Sequence, residues 1–225
     1  MNKYALINPP SDSLGINVIS TMLSKPFFES QKLENFPETY KSLDIQYMNQ
    51  THGHSIKTVT SLIDHPTVDG LFTSKKGIIL AVKTADCVPL ILSSSKGNEV
   101  AAIHVGWRGL EAGIVENALS LFSIDIGIKA WLAPSISSNF YEVGKDVYDS
   151  VTKRCEESKA NFTKIKHNNN WYFNLAGEVH RILEEFGADV YESNHCTFDE
   201  ENMFYSYRKN KSLNRMVTLV WRKNE

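Results

Sequence analysis

The chain has 225 residues, of which 42% are hydrophobic and 22% charged, a composition typical of a globular protein with a substantial core. Its 24 Lys and Arg against 26 Asp and Glu give a net charge of −2, which disfavours a protein built to hold a nucleic-acid backbone. The longest apolar stretch, Gly77 to Val82, is far shorter than the ~20 residues that span a bilayer. With no secretory signal and only three cysteines, we expect one cytoplasmic domain over residues 1–225.

The first half of the chain is predicted to consist mainly of strands. A strand over Tyr4–Ile7 is stopped by Pro9-Pro10. The spacing of the apolar residues between Ile16 and Leu23 predicts a helix that is broken before Pro26. Five further apolar runs have the length of strands: Ile45–Met48, Ile56–Val59, Gly77–Thr84, Val88–Leu92 and Val100–Val105. The last three are almost continuously apolar, as buried strands require.

After Val105 the apolar period becomes helical. Helices are predicted over Ile114–Phe122, over Val147–Cys155 with Cys155 on the buried stripe, and over Leu175–Phe186 between the N-cap Asn174 and Gly187. Strands are predicted at Lys129–Leu132, Asp189–Tyr191 and Met216–Trp221. Because strands outnumber helices without alternating regularly with them, we expect an α+β or mixed-sheet α/β fold.

Three polar turns at predicted strand ends carry reactive side chains. The turns Asn49–His54, Thr84–Pro89 and His104–Gly109 supply His52, Cys87 and His104. Two imidazoles and a thiolate suit Zn²⁺ or copper, and three protein ligands leave a fourth position open, as in catalytic metal sites. Two other interpretations of these residues stay open: Cys87 and His104 as a metal-free nucleophile and base, or all three as ordinary packed side chains.

The same segments resemble the peptidoglycan editing factor family, also known as the multicopper polyphenol oxidase (laccase) domain family. Its members are also described as purine nucleoside phosphorylases. The matching pieces are Gln50-Thr51-His52-Gly53, Asp69–Thr73, Thr84–Pro89, His104–Leu110, Leu132–Ile136, Tyr141–Val143, Cys196-Thr197 and Phe204–Arg208. The first forty-odd residues match poorly, and Asn139-Phe140 stands where many relatives have cysteines.

The resemblance implies a layered α/β (α+β) sandwich with mixed β-sheets, a cysteine-hydrolase-like fold shared with a deamidating toxin domain. It also implies that His52, Cys87 and His104 form a zinc-binding catalytic triad. The implied activity is phosphorolysis of adenosine, guanosine, inosine and methylthioadenosine, with an accompanying adenosine deaminase activity. Some members are assigned a role in editing peptidoglycan precursors.

The residues fit these two activities unequally. Deamination follows readily, because zinc lowers the pKa of bound water towards ~7. Zinc deaminases also use a carboxylate for proton transfer, for which Asp86 is the candidate. Phosphorolysis needs a bound phosphate, and Arg108 and Arg208 are its candidate ligands because guanidinium binds phosphate bidentately. Tyr141 is our candidate for stacking on the base, with Tyr205 and Tyr207 as alternatives.

Three other functions remain open: a copper-dependent polyphenol oxidase, a metal-free Cys87–His104 hydrolase acting on a cell-wall precursor, and a non-enzymatic protein that keeps zinc for structure. Seven histidines with one His-x-His pair, His52-Gly53-His54, do not supply a four-copper cluster, so copper would be a single ion. The expected partners are purine nucleosides and phosphate, with no nucleic acid and no membrane. The sequence leaves the oligomeric state open.

Overall fold

The computed structural model describes residues 6–11, 13–15, 18–24, 44–123 and 127–223. The strands are β1 (Leu6–Ile7), β2 (Val18–Leu23), β3 (Asp44–Gln46), β4 (Ile56–Thr58), β5 (Gly70–Thr73), β6 (Ile78–Thr84), β7 (Val88–Ser94), β8 (Val100–Val105), β9 (Ile128–Leu132), β10 (Glu142–Val143), β11 (Phe162–Lys164), β12 (Trp171–Phe173), β13 (Asp189–Glu192) and β14 (Met216–Arg222). The helices are α1 (Trp107–Glu111), α2 (Ile114–Leu119), α3 (Lys145–Arg154), α4 (Leu175–Glu185) and α5 (Tyr207–Asn210). No helix among these residues is both long and apolar enough to cross a membrane.

The strands form two large mixed sheets and one small sheet. The five-stranded sheet has the order β1-β2-β14-β6-β3 and is antiparallel except where β3 joins β6. The six-stranded sheet has the order β13-β9-β7-β8-β5-β4, with parallel pairs at both edges and antiparallel pairs inside. Strands β10, β12 and β11 form the third sheet. This architecture confirms the predicted α+β class with mixed sheets.

The six-stranded sheet is covered on both faces, which explains its continuously apolar strands. Successive side chains of a strand point to opposite faces. Leu90 and Leu92 of β7 therefore join a core shared with the helices, and Ile91 joins a second core with residues of the five-stranded sheet. Trp131 of β9 is fully buried in that second core. The layers thus run from sheet to sheet to helices.

The predicted helix over Ile16–Leu23 is wrong, because residues 18–23 form strand β2. Strand β2 pairs with β14 over six residues, from Val18 opposite Arg222 to Leu23 opposite Val217. A short strand that packs on both faces can show the same spacing of apolar residues as a helix. Pairing with a distant strand therefore decides which of the two structures forms. Ile16 lies outside the described residues. Of the first predicted strand, Tyr4 also lies outside them, and the structure has strand β1 at Leu6–Ile7.

The predicted burial of Cys155 on a helix stripe is also wrong. Helix α3 ends at Arg154, and Cys155 adopts an extended backbone with φ −145°. The half-buried Cys155 thiol donates to the Glu157 carboxylate at 3.0 Å. The apolar period continues past the point where the chain leaves the helix, so periodicity alone misplaces the last turn.

The predictions for helix α4 and strand β8 are confirmed. The side-chain oxygen of Asn174 accepts a hydrogen bond from the Gly177 amide at 3.0 Å, as expected of an N-cap. Gly187 follows the helix with φ +74°, the left-handed conformation that ends many helices. The apolar run Val100–Val105 matches β8 in full.

Candidate metal and catalytic site

Three separate segments bring His52, Cys87 and His104 together. His52 lies on the loop between β3 and β4, Cys87 on the connection that passes from β6 in one large sheet to β7 in the other, and His104 near the end of β8. Their ligand atoms all lie within 4.8 Å of one another. The two imidazole rings meet edge to face, with centroids 4.6 Å apart.

A buried carboxylate that the sequence interpretation did not single out connects this cluster. Asp69 precedes β5, and the pairing of Gly70 with Ile103 places it beside His104. The Asp69 carboxylate, which is 0% exposed, accepts a hydrogen bond from His104 Nδ1 at 2.7 Å. Because an ionised carboxylate only accepts, Nδ1 carries the proton and Nε2 is left for Cys87 or a metal.

The electrostatics of the cluster favour a charged pair. Burial by itself would raise the pKa of the Cys87 thiol, but hydrogen bonds from His104 and His52 outweigh it and lower this pKa to about 6. Burial would lower the pKa of His104, but Asp69 and Cys87 raise it to about 9. Near neutral pH the site without metal therefore holds a thiolate beside an imidazolium. The thiolate is the form of cysteine that binds metals and attacks electrophiles.

Two glycines at the start of α1 leave space for the cluster. A Cβ atom at Gly106 would lie 3.1 Å from His52 Cδ2 and 3.2 Å from Cys87 Sγ. A Cβ atom at Gly109 would lie 2.6 Å from the backbone oxygen of Gly53, on the loop that carries His52. The helix can therefore approach the histidine loop closely only because these positions lack side chains.

The donor set fits a zinc ion. Zinc bonds of about 2.0–2.3 Å in tetrahedral geometry put ligand atoms roughly 3.3–3.8 Å apart. Ligand atoms already within 4.8 Å of one another need to close by only about 1 Å. A thiolate with two imidazoles is also a donor set that copper accepts, so the geometry does not select between the two metals.

The cluster opens into a cavity of about 800 Å³ whose lining is cationic and aromatic. The lining includes four cationic side chains, Lys83, Arg108, Arg208 and Arg215, together with Trp107, Tyr141 and Tyr207. None of the four cations forms an ion pair with another residue of the described ranges. The described lining thus carries four cationic side chains against one carboxylate, that of Asp86, in a chain whose net charge is −2.

The three predicted substrate-binding residues line this cavity with the triad. Arg208 donates to the backbone oxygen of Glu142 at 2.7 Å, and its guanidinium lies 5.1 Å from the Tyr141 ring centre. The Arg108 guanidinium lies 4.4 Å from the Trp107 ring centre. Tyr141, Arg108 and Arg208 therefore lie around the same cavity, and their role in binding substrate stays a prediction.

Other candidates lie elsewhere or have structural partners. Tyr205 is buried in the core between the large sheets, whereas Tyr207 lines the cavity. Asp86 also lines it, with φ +91°, but its two carboxylate oxygens accept from Thr197 Oγ1 at 2.9 Å and from the Arg208 amide at 2.6 Å. Asp86 therefore links the C-terminal segment to the cavity.

Four residues of the site were missed from the sequence: Asp69, Lys83, Trp107 and Arg215. Asp69 and Trp107 both lie within motifs that carry the family resemblance, so a signal for them existed. Lys83 is the one charged residue of strand β6, and a charge inside a buried apolar run is a usable signal. Arg215 precedes β14 and carries no local signal at all.

Comparisons with known proteins show the family of the chain. The family model described as multi-copper polyphenol oxidoreductase laccase matches residues 31–223. The protein named purine nucleoside phosphorylase YfiH of Escherichia coli (strain K12) is 33% identical over 181 residues, covering 78% of this chain and 72% of its own length. The purine nucleoside phosphorylase of Haemophilus influenzae is 32% identical over 178 residues, covering 78% and 73%.

Solved structures show the same fold. Neisseria meningitidis protein NMB0706 matches with a TM-score of 0.86 at 25% identity, over 98% of this chain and 100% of that one. The Bacillus licheniformis protein YfiH matches with a TM-score of 0.85 at 21% identity, over 99% and 98%. The chain therefore belongs to the laccase-like family described as multi-copper polyphenol oxidoreductase laccase.

Proposed function

We propose that this chain is a zinc-dependent purine nucleoside phosphorylase that also deaminates adenosine. The observation that carries the proposal is the His52–Cys87–His104 cluster opening into a cavity lined by arginines and aromatic rings. The names of the Escherichia coli and Haemophilus influenzae relatives support the same activity. The proposed substrates are adenosine, inosine, guanosine or methylthioadenosine, with inorganic phosphate.

His52, Cys87 and His104 would hold the zinc ion. When bound, zinc supplies a fixed positive charge and Lewis-acid polarisation. Copper is the alternative metal, because divalent copper binds most such ligand sets more tightly than zinc. The metal content of the purified protein decides between them.

Phosphate binding is the proposed task of Arg108 and Arg208. In phosphorolysis a phosphate oxygen bonds to C1′ of the ribose, the bond from C1′ to the base breaks, and the base nitrogen keeps the bonding electrons and gains a proton. The Glu142 carbonyl holds one nitrogen of the Arg208 guanidinium, so the other nitrogens can donate to a phosphate. Guanidinium groups held in this way position the nucleophile at a high effective concentration.

Base recognition is the proposed task of Tyr141 and its aromatic neighbours. The Tyr141 ring stacks on Phe173 at 6.0 Å between centroids, which fixes its plane. Burial and the nearby charge of Cys87 raise the pKa of Tyr141, so its hydroxyl stays protonated and can donate to a purine acceptor. An aromatic face with one polar end suits a nucleobase, which is flat, apolar on its faces and polar at its edges.

The proposed activity is tested by identifying products. Purified protein of known metal content is incubated with adenosine, with and without phosphate, and the products are separated by chromatography and weighed by mass spectrometry. We expect adenine and ribose 1-phosphate only when phosphate is present, together with inosine from the deaminase reaction. Zinc-loaded protein that forms neither product would contradict the proposal.

Arg208→Ala is expected to raise the KM for phosphate by about tenfold or more while zinc stays bound, because a lost charged hydrogen bond costs about 1.5–3 kcal/mol. Lys209→Ala is the matched control, since it removes a positive charge from α5 outside the cavity lining. Phosphate kinetics of the two variants and of the unmodified chain provide the comparison. An unchanged KM in Arg208→Ala would remove Arg208 from the phosphate site.

A metal-free hydrolase is the second candidate, favoured by the thiolate–imidazolium pair of Cys87 and His104. Such a pair attacks carbonyl carbons, so an amide of a peptidoglycan precursor is the substrate class to assay. A role in editing those precursors is compatible with either chemistry.

The core shared by the two large sheets supports a single domain, and the three free cysteines support a reducing compartment such as the cytoplasm.

A further inference from the structure

We propose that Asp69 is a positioning residue that holds both histidines of the triad through one carboxylate, and thereby sets the metal affinity of the site. The inference rests on the proposed metal site and is independent of the proposed substrate. Asp69 lies outside the cavity lining, so it acts on the ligands and not on the substrate.

The first contact of Asp69 fixes His104 at two points. Asp69 Oδ1 accepts from His104 Nδ1 at 2.7 Å, and the Asp69 backbone oxygen accepts from the His104 amide at 2.8 Å. The antiparallel register of β5 and β8 places the two residues beside each other. The side-chain bond sets the ring plane and tautomer, and directs Nε2 away from Asp69. Carboxylates that bond the far nitrogen of a metal-binding histidine commonly do this.

The second set of contacts fixes the loop that carries His52. Three successive amides, those of Thr51, His52 and Gly53, donate to the Asp69 carboxylate at 3.0, 2.9 and 2.7 Å. The Thr51 hydroxyl adds a further hydrogen bond at 3.0 Å. Successive amides that converge in this way form an anion-binding concavity.

The backbone of His52 explains why the loop needs this partner. His52 has φ +61°, a left-handed conformation that is unfavourable for residues other than glycine. The three amides around the Asp69 carboxylate compensate for that cost. Without the carboxylate, the loop is expected to relax and move the His52 ring away from Cys87.

A carboxylate is required at this position because every one of these five hydrogen bonds is donated to it. Asparagine has the same shape but only one acceptor oxygen, and its amide nitrogen would face backbone N–H groups. Asp69 is 0% exposed, so water cannot replace the missing acceptor. Donors that lose a buried partner destabilise the arrangement they hold.

The test measures zinc affinity, by competition with a chromophoric chelator, in the full chain and in Asp69→Asn. We expect zinc to bind 10–100-fold more weakly in the variant, the usual effect of losing the partner of a metal-binding histidine. Glu178→Gln is the matched control, because Glu178 is also a buried carboxylate with several hydrogen bonds, which come from Ser158, Asn161 and Arg181 and not from the triad. We expect that variant to lose stability while keeping its zinc affinity. Asp69→Asn with a zinc affinity within twofold of the unmodified chain would overturn the proposal.

A second readout requires no metal. Long-range ¹H–¹⁵N spectra of the metal-free chain are recorded well above the His104 pKa of about 9, so that the ring is neutral. We expect them to show His104 protonated at Nδ1, and Asp69→Asn to shift the ring towards a mixture of tautomers. An unchanged tautomer in that variant overturns the proposal even if the chain binds no zinc.

If Asp69→Asn does not fold, Thr51→Val removes only the hydroxyl bond to Asp69, and we expect it to weaken zinc binding about threefold. Unchanged zinc affinity in Thr51→Val would then count against the proposal. A chain that binds zinc normally but turns over no nucleoside refutes the proposed function and leaves the role of Asp69 standing.

Discussion

Replacing Cys87 with alanine is expected to abolish zinc binding and to lower turnover by more than about 100-fold. Losing only the hydrogen-bond partner of a metal ligand already costs about 10–100-fold, and Cys87 is itself a proposed ligand. Cys87 supplies the only sulfur of the cluster and the only negative charge among its three ligands. Its removal leaves two imidazoles, and the pKa of His104 loses one of the interactions that raise it. Elemental analysis of the purified variant and the product assay measure the two effects.

Cys155→Ala is the control variant for Cys87→Ala. Cys155→Ala removes a thiol that contacts Glu157 and has no contact with the triad, so zinc content and turnover should match those of the unmodified chain. Cys87→Ala that keeps full zinc occupancy would refute the ligand assignment. If that variant retained zinc but had no activity, the result would favour Cys87 as a nucleophile in place of a ligand.

Gly109→Ala is expected to lower the free energy of unfolding by about 1–3 kcal/mol, the usual cost of inserting a methyl group into a tightly packed place. The new Cβ atom would lie 2.6 Å from the Gly53 oxygen, much closer than a real contact allows. Gly53 cannot yield easily, because its amide is bonded to Asp69 at 2.7 Å. We therefore expect the loop carrying His52 to be displaced and zinc binding to weaken together with stability.

Whether Gly109→Ala lowers or raises the free energy of unfolding shows whether the new methyl group clashes with the Gly53 oxygen. Glycine to alanine inside a helix ordinarily stabilises a protein by roughly 0.5–1 kcal/mol, because alanine restricts the unfolded chain. Chemical denaturation of Gly109→Ala and of Glu111→Ala, a change on the same helix α1 that adds no atoms, separates the clash from a general effect on the helix. A stabilised Gly109→Ala with normal zinc affinity would show that the helix and loop have more freedom than the structure indicates.

Much of the fold was predictable because the relevant interactions are local. Strand β8 follows from one unbroken apolar run, and helix α4 follows from its apolar period, its cap Asn174 and Gly187 at its end. The prediction of a helix at strand β2 is wrong because the apolar spacing of so short a segment fits both a helix and a strand. Its identity depends on pairing with β14, about 200 residues away. Cys155 was misplaced because apolar spacing continues past the end of α3.

The sequence by itself determined the three candidate ligands, His52, Cys87 and His104. Soft and borderline donors stand in polar turns at strand ends, and the family motifs cover all three. Asp69 lies in a family motif, but only the tertiary structure shows what it contacts. Those contacts arise from complete burial and from a strand register that sets Asp69 against His104, 35 positions away. Residue type limits which chemistry a side chain can perform, whereas burial and long-range contacts decide which side chain performs it.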